Sequence, residues 1–258
     1  MVLRKVKPGT YPAVEIQDFI AKEGKSFTNF KATAGWSTST LNRGMLPTAG
    51  ASQSLFLEAT VPGSDLKFYR LDYDGQYFKG LWGDHVLRFH TRLGYAESYG
   101  STSRLPFYEN YYAGGFDSVR GFRDGAMGPR STYYGYGKDC TREKCDPDRD
   151  FLHFGGNVLI EGGVEWIFPM PFVKDQRSIR SYAFWDVGNV FDTNCSKEQK
   201  ARNESGCSIK AGDLGSAAGL GLTWVTAMGP LSFSVGRPIK KPDNSKAQFF
   251  QFTLGQTF

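Results

Sequence analysis

The stretch "GGNVLIEGGVEWIF", residues 155–168, decides how the chain is read. Val158, Ile160, Gly162, Val164, Trp166 and Phe168 share one parity, and Asn157, Glu161 and Glu165 share the other. A period of two belongs to a β-strand, whose successive side chains point to opposite faces. The polar face here carries carboxylates. A sandwich core does not tolerate such charge without partners, whereas a wet lumen does.

The same alternation recurs on either side. Within 53–62, Leu55, Leu57, Ala59 and Val61 oppose Glu58 and Thr60. Within 67–79, Tyr69, Leu71, Tyr73 and Tyr77 oppose Arg70, Asp72, Asp74 and Gln76. Within 83–95, Leu87, Phe89, Leu93 and Tyr95 oppose Arg88, His90 and Arg92. Toward the C-terminus, Leu231, Phe233 and Val235 oppose Ser232 and Ser234, and Phe250, Phe252 and Leu254 oppose Gln251 and Thr253. Strand segments are predicted at 25–42, 53–62, 66–81, 83–97, 155–169, 178–192, 215–227, 230–240 and 248–258. Several exceed the roughly 5–6 residues usual in soluble sheets and reach the roughly 9–11 that cross a bilayer obliquely.

A soluble barrel with its apolar face inward is the competing architecture, and connection lengths separate the two. Short turns at Trp82-Gly83-Asp84, 170–177 and Met228-Gly229-Pro230 alternate with longer connections, notably 98–154 and 193–214. The short connection at Pro62-Gly63-Ser64 falls on the long-loop side and breaks the rule. Short turns on one rim and long loops on the other are the outer-membrane pattern. Trp166, Phe168, Phe191 and Trp224 lie near strand ends, where aromatic girdles sit. Residues 14–20 form an amphipathic patch that predicts a short loop helix. The fold class is all-β, an antiparallel transmembrane β-barrel.

Composition agrees. The 258 residues carry a net charge of +5 and a mean hydropathy of −0.40, with no apolar run long enough for a membrane helix. A barrel needs none, because only alternate residues face lipid. The length suits one large all-β domain. No basic patch interleaved with stacking aromatics is present, so nucleic acid is not an expected partner. The N-terminal "MVLRKVKPGT" lacks an apolar signal core, so the chain is expected to begin inside a longer exported protein. Cys140 and Cys145, and Cys195 and Cys207, form two close pairs without zinc spacing. Disulfides in an oxidising compartment are expected, with free thiols as the alternative.

Catalytic signals are weak. His85, His90 and His153 are scattered, and no nucleophile elbow or metalloprotease motif occurs. Asp146, Asp148 and Asp150 lack the glycine and terminal glutamate of a calcium loop, and read as a solvated acidic loop. Gly219 and Gly221 read as easing strand curvature or close packing. No enzymatic activity, cofactor or metal is expected.

Two further stretches carry more specific information. The terminal "FFQFTLGQTF" places Phe250, Phe252, Leu254 and Phe258 on one parity, similar to the C-terminal signal of bacterial outer-membrane proteins. "VRGF" at 119–122, inside "LPFYENYYAGGFDSVRGF", together with "FWDVGNVFDTN" at 184–194, resembles the Omp85 superfamily. That resemblance implies the C-terminal part of a sixteen-stranded barrel, with about eight or nine strands present and the periplasmic POTRA domains absent. It implies that the long extracellular loop 98–154 folds back into the lumen. Arg120 would then pair with Glu165 and Asp186, with Val119 beside it, Gly121 permitting a tight turn and Phe122 packing alongside. Elementary electrostatics supports this independently: an arginine at the tip of an inserted loop is costly to bury unless carboxylates meet its fork of donors.

By resemblance the function is assembly and insertion of outer-membrane proteins in the outer membrane of a Gram-negative bacterium, without enzymatic chemistry. A nascent strand would add at a seam that includes 248–258. The implied partners are unfolded outer-membrane proteins, accessory lipoproteins acting mainly through the periplasmic domains, and outer-membrane lipid and lipopolysaccharide. A translocation pore of the two-partner-secretion or TamA type and a passive structural or adhesive barrel are the alternatives, with a membrane-embedded lipid hydrolase more distant. Alone, the chain is expected not to be a complete insertase. It is also expected to close on itself as a small barrel of eight or nine strands, with 25–42 partly outside the sheet.

Overall fold

A computed structural model of the chain describes residues 2–5, 13–132, 152–170, 178–201 and 205–255. A small outer module comes first, comprising β1 (Val2–Lys5), α1 (Val14–Glu23) and β2 (Ser26–Asn29). The wall follows as β3 (Lys31–Ser39), β4 (Gly50–Thr60), β5 (Phe68–Gly80), β6 (Val86–Ser98), β7 (Val158–Phe168), β8 (Ile179–Phe191), β9 (Gly215–Thr226), β10 (Gly229–Lys240) and β11 (Phe250–Leu254). A short helix, α2 (Lys197–Ala201), lies between β8 and β9.

The wall is a 9-stranded antiparallel meander in which each strand pairs with its neighbours in sequence. Each predicted segment holds one of its strands. Segment 25–42 divides at Phe30: β2 pairs with β1 in a separate ribbon, and β3 joins the wall. The predicted helix at 14–20 runs on to Glu23 and stops at Gly24, whose φ of +99° and N–H bond to the Ile20 carbonyl close its last turn.

Register keeps parity from strand to strand, so like residues line up across the sheet. Leu57 opposes Leu71, Leu71 opposes Tyr95, and Trp224 opposes Leu231. The outcome is the inverse of a soluble protein. Leu55, Leu57, Leu93, Trp166, Trp185, Leu220, Trp224 and Phe252 are exposed on the outer face. Glu161, Glu165, Asp186, Thr223, Ser232, Ser234 and Gln251 are buried on the inner face. An apolar outer surface of this extent is a surface for lipid and excludes the soluble barrel.

The inner face is filled by the chain itself. Val119, Phe122 and Met127, from the connection between β6 and β7, pack on Phe68, Ala96, Leu159, Val190 and Ala217 of the wall. Phe19 of α1 and Phe27 of β2 extend the same cluster. Glu15 fastens α1 over it: its carboxylate accepts from the Thr132 N–H at 2.8 Å, the Thr132 hydroxyl at 2.7 Å and the Ser196 hydroxyl at 3.0 Å.

Three expectations are corrected. Among the described residues the sheet does not close on itself, because β3 and β11 are the two ends of the strand order and do not pair with each other. Barrel diameter grows with strand number, so nine strands closed would leave little more than room for their own side chains. The buried Val119, Phe122 and Met127 occupy the space that closure would remove. Phe191 is fully buried and belongs to no interfacial girdle, unlike the exposed Trp166 and Trp224. The rim of short turns includes one longer connection, 40–49, in which the Asn42 side chain accepts the N–H groups of Thr48 and Ala49.

Cys195 and Cys207 are disulfide-bonded within the connection between β8 and β9. Cys140, Cys145, Asp146, Asp148, Asp150 and Phe258 lie outside the described residues.

Candidate functional site: a charged clamp in the lumen

Alternation in β7 turns Glu161 and Glu165 inward, and β8 turns Tyr182, Phe184 and Asp186 inward. Gly163 is directly opposite Asp186, and a Cβ there would stand 2.6 Å from the Asp186 carboxylate and equally close to the His90 ring. The absent side chain leaves the space that the carboxylate uses. Farther along the wall, side chains at Gly219 and Gly236 would collide with the Phe184 ring, and one at Gly221 with Tyr182. These glycines let two aromatic rings lie flat against the lumen wall, which is the close-packing reading of Gly219 and Gly221.

Arg120 lies on that floor. Its Nε donates to Asp186 Oδ2 at 2.7 Å and its Nη2 to Oδ1 at 2.8 Å, a two-pronged match of guanidinium to carboxylate. Its Nη1 is 2.7 Å from Glu165 Oε1. Its backbone N–H adds a bond of 3.1 Å to Asp186 Oδ2. The guanidinium carbon stands 4.0 Å from the Phe184 ring centroid and 5.3 Å from that of Tyr182, within cation–π range. Burial by itself lowers the pKa of such a group, but the Glu165 and Asp186 carboxylates outweigh it and hold the guanidinium charged, above the ordinary arginine value.

The loop backbone is tied as firmly as the side chain. Gly121 has φ +84°, a conformation side chains avoid, and a Cβ on it would stand 3.0 Å from Ala217 Cβ. Its N–H donates to Gln251 Oε1 at 3.1 Å, while Gln251 Nε2 donates to the Phe122 carbonyl at 2.7 Å. The Gln248 N–H donates to the Gly121 carbonyl at 2.9 Å. Phe122 is completely buried and Val119 nearly so. The four residues 119–122 are therefore joined to β7, β8 and β11 at once.

A second ring of groups surrounds these. Arg88 donates from Nη1 to Glu165 Oε2 at 3.1 Å and from Nη2 to Gln76 Oε1 at 3.3 Å. His90 Nε2 is 3.7 Å from Asp186 Oδ1. The Ser118 hydroxyl donates to Glu161 and accepts the Gly114 N–H. A cavity of about 300 Å³ remains beside Arg120, lined by polar groups that include Asp74, Asp117, Arg180 and Thr223.

The structure thus brings Arg120, Glu165 and Asp186 into contact. Phe250, Phe252 and Leu254 are elsewhere, exposed on the outer face of β11. Sequence reading missed Arg88, Phe184 and Gln251 as members of the site. Arg88 opposes Glu165 in the β6–β7 register, a relation that alternation alone does not reveal. Gln251 stood only as a polar residue in an apolar strand, and that parity was its one available signal. Among the described residues, no group of three or more His, Cys, Asp or Glu side chains could hold a metal.

An antiparallel wall that is apolar outside and charged inside, with a loop bonded into its lumen, defines an outer-membrane β-barrel protein. The chain belongs to the Omp85 superfamily, whose domain matches residues 4–258. It is 34% identical over 93% of its length to the outer membrane protein assembly factor BamA of Neisseria meningitidis serogroup B, and covers 31% of that protein. It is 29% identical over 73% of its length to the sorting and assembly machinery component 50 homolog of Bos taurus, covering 39% of it. The crystal structure of BamA from Haemophilus ducreyi lacking POTRA domains 1–3 superposes with a TM-score of 0.81 at 30% identity, over 97% of this chain and 48% of that one. The chain therefore spans about a third of the length of the curated relatives it matches.

Proposed function

We propose that the chain works in the assembly of outer-membrane proteins, as a wall of the barrel that inserts them and without enzymatic chemistry. The observation that carries this reading is the edge of β11. Among the described residues β11 pairs only with β10, and its other edge is free. An unpaired edge is a template for an incoming strand. That same strand holds the lumen loop through Gln251, so a client strand that pairs with β11 does so on an edge braced from inside.

On this reading Arg120, Glu165 and Asp186 act as a structural clamp that fixes the depth of the loop. The clients are unfolded outer-membrane proteins, and accessory lipoproteins and outer-membrane lipid are the other partners. The names of the relatives, an outer membrane protein assembly factor in a bacterium and a sorting and assembly machinery component homolog in an animal, support this use of the fold.

Site-specific crosslinking tests it. A Thr253→Cys chain in liposomes is mixed with an unfolded client barrel bearing one cysteine in its terminal strand. A disulfide adduct formed during client folding, and absent with Leu222→Cys on the lipid face of β9, is the expected result. Equal adducts at both positions, or none at Thr253→Cys, would overturn the proposal.

A further inference from the structure

The outward row of a transmembrane strand should carry no uncompensated charge within lipid, and this wall obeys that rule with few exceptions. Among the described wall strands, the charged residues of outward parity are Lys79, Glu97, Arg237 and Lys240, the last placed opposite Ser216 of the outward row by a bulge after Pro238. Glu97 accepts from the amides of Asn157 at 3.2 Å and Asn194 at 2.9 Å. Lys79 lies at the short-turn rim, beside the β5–β6 turn. Arg237 continues the lipid-facing row Leu231, Phe233, Val235 at the opposite, long-loop rim.

Arg237 is not alone there. Lys240 is exposed at the end of the same strand, and its Nζ donates to the Ala211 carbonyl at 3.2 Å, which brings it against the segment that carries exposed Lys210. Lys241 follows directly and is also exposed. None of these four cations has an ion-pair partner among the described residues. The Asp213 carboxylate, close in sequence, instead accepts the Gly206 N–H at 3.3 Å. The cations are interleaved with apolar surface: Ile239 and Phe249 are well exposed, and the Arg237 guanidinium carbon stands 5.5 Å from the Phe249 ring centroid. Apolar contacts at the level of acyl chains with unpaired cations just above them are complementary to a lipid whose headgroup carries fixed negative charge.

We infer that the rim formed by Lys210, Arg237, Lys240 and Lys241 binds the phosphate groups of a phosphorylated glycolipid in the outer leaflet. Long loops mark the outer side of such barrels, and that leaflet is where a phosphorylated glycolipid meets this end of the strands. The inference rests on the lipid-facing wall and is independent of the assembly role. A lipid held here would lie next to β11 and fix the boundary of the membrane beside its free edge.

Binding of purified bisphosphoryl lipid A to the chain folded in detergent micelles, read by native mass spectrometry, tests the site. Each cation near an anionic lipid surface contributes about fivefold to affinity, so a chain with Arg237→Gln, Lys240→Gln and Lys241→Gln should bind about a hundredfold more weakly. Lys79→Gln, at the other rim, should bind like the parent. Raising the salt concentration should weaken the parent and leave the triple variant nearly unchanged. These substitutions are on exposed surface and leave the buried clamp intact, so the variants keep a folded reference. Equal affinity of parent and triple variant would overturn the inference. So would equal binding of dephosphorylated lipid A, or complete displacement by millimolar inorganic phosphate, which would make the rim a bare anion site and not a lipid site.

Discussion

Replacing Arg120 with alanine removes the one group among the described residues that touches both Glu165 and Asp186. The cost follows from what each carboxylate keeps. Glu165 retains Arg88 at 3.1 Å and is not orphaned. Asp186 loses both prongs of the guanidinium and keeps only the backbone N–H at 3.1 Å and His90 at 3.7 Å. Removing one partner of a buried pair costs about 3–5 kcal/mol, and the partial compensation puts this site near 3 kcal/mol. That corresponds to about a 150-fold larger population with the loop detached. Hydrogen–deuterium exchange reads this population directly. In the Arg120→Ala chain, exchange at the amides of Gly121, Arg123 and Gln248 should quicken by about that factor, while the amides between β5 and β6 keep their protection. Arg120→Lys keeps the charge but loses the fork and the stacking on Phe184, and should fall between the two. Unchanged exchange at Gly121 would refute the clamp, and so would an equal rise throughout the sheet.

Gly121→Ala forces a side chain into a φ of +84° beside Ala217, and should destabilise the docked loop by more than about 1 kcal/mol, seen as an earlier loss of structure in denaturant. Gln251→Leu leaves the Gly121 N–H and the Phe122 carbonyl unpaired in the interior, costing about 1–3 kcal/mol, and should lower the denaturant midpoint as well. His153 is held near a pKa of about 4, chiefly by burial and further by Arg130, Lys246 and Arg123, against the opposing bond from its Nε2–H to the Asn244 carbonyl. Its folded value lies below the unfolded one of about 6.5, so its contribution is complete above that pH and is lost as the pH falls toward 4, by at most about 3 kcal/mol. A denaturation midpoint that declines through this window in the parent, with a smaller decline in His153→Gln, is the expected result.

The wall was legible because the bilayer imposes a period of two on each strand that crosses it. Residues such as Leu55, Leu93, Trp166 and Phe252 could be assigned to the outer face from parity alone. What the sequence could not convey was closure and register. Whether the edges meet depends on the space that Val119, Phe122 and Met127 take up inside, and no local pattern reports that volume. Phe191 looked like a girdle residue because it ends a strand, but the fold covers that rim with loops. The clamp was visible only in part. "VRGF" and its two carboxylates were joined through the resemblance to the Omp85 superfamily, with Asp186 also conspicuous as a charge in an otherwise apolar run. Phe184, Arg88 and Gln251 join them through cross-strand neighbours and a loop that returns from far along the chain.

The placement of the indole rings decides whether the apolar face of the wall meets lipid. All five tryptophans, Trp36, Trp82, Trp166, Trp185 and Trp224, are exposed in the isolated chain. In bilayers of brominated lipid, their fluorescence should be quenched efficiently, with little quenching by aqueous iodide. Single-tryptophan chains should show Trp185, midway along β8, quenched most by bromines deep in the acyl region, and Trp82 most by bromines near the headgroup. Fluorescence quenched by iodide and indifferent to brominated lipid would place the apolar face in water and refute a membrane-spanning wall.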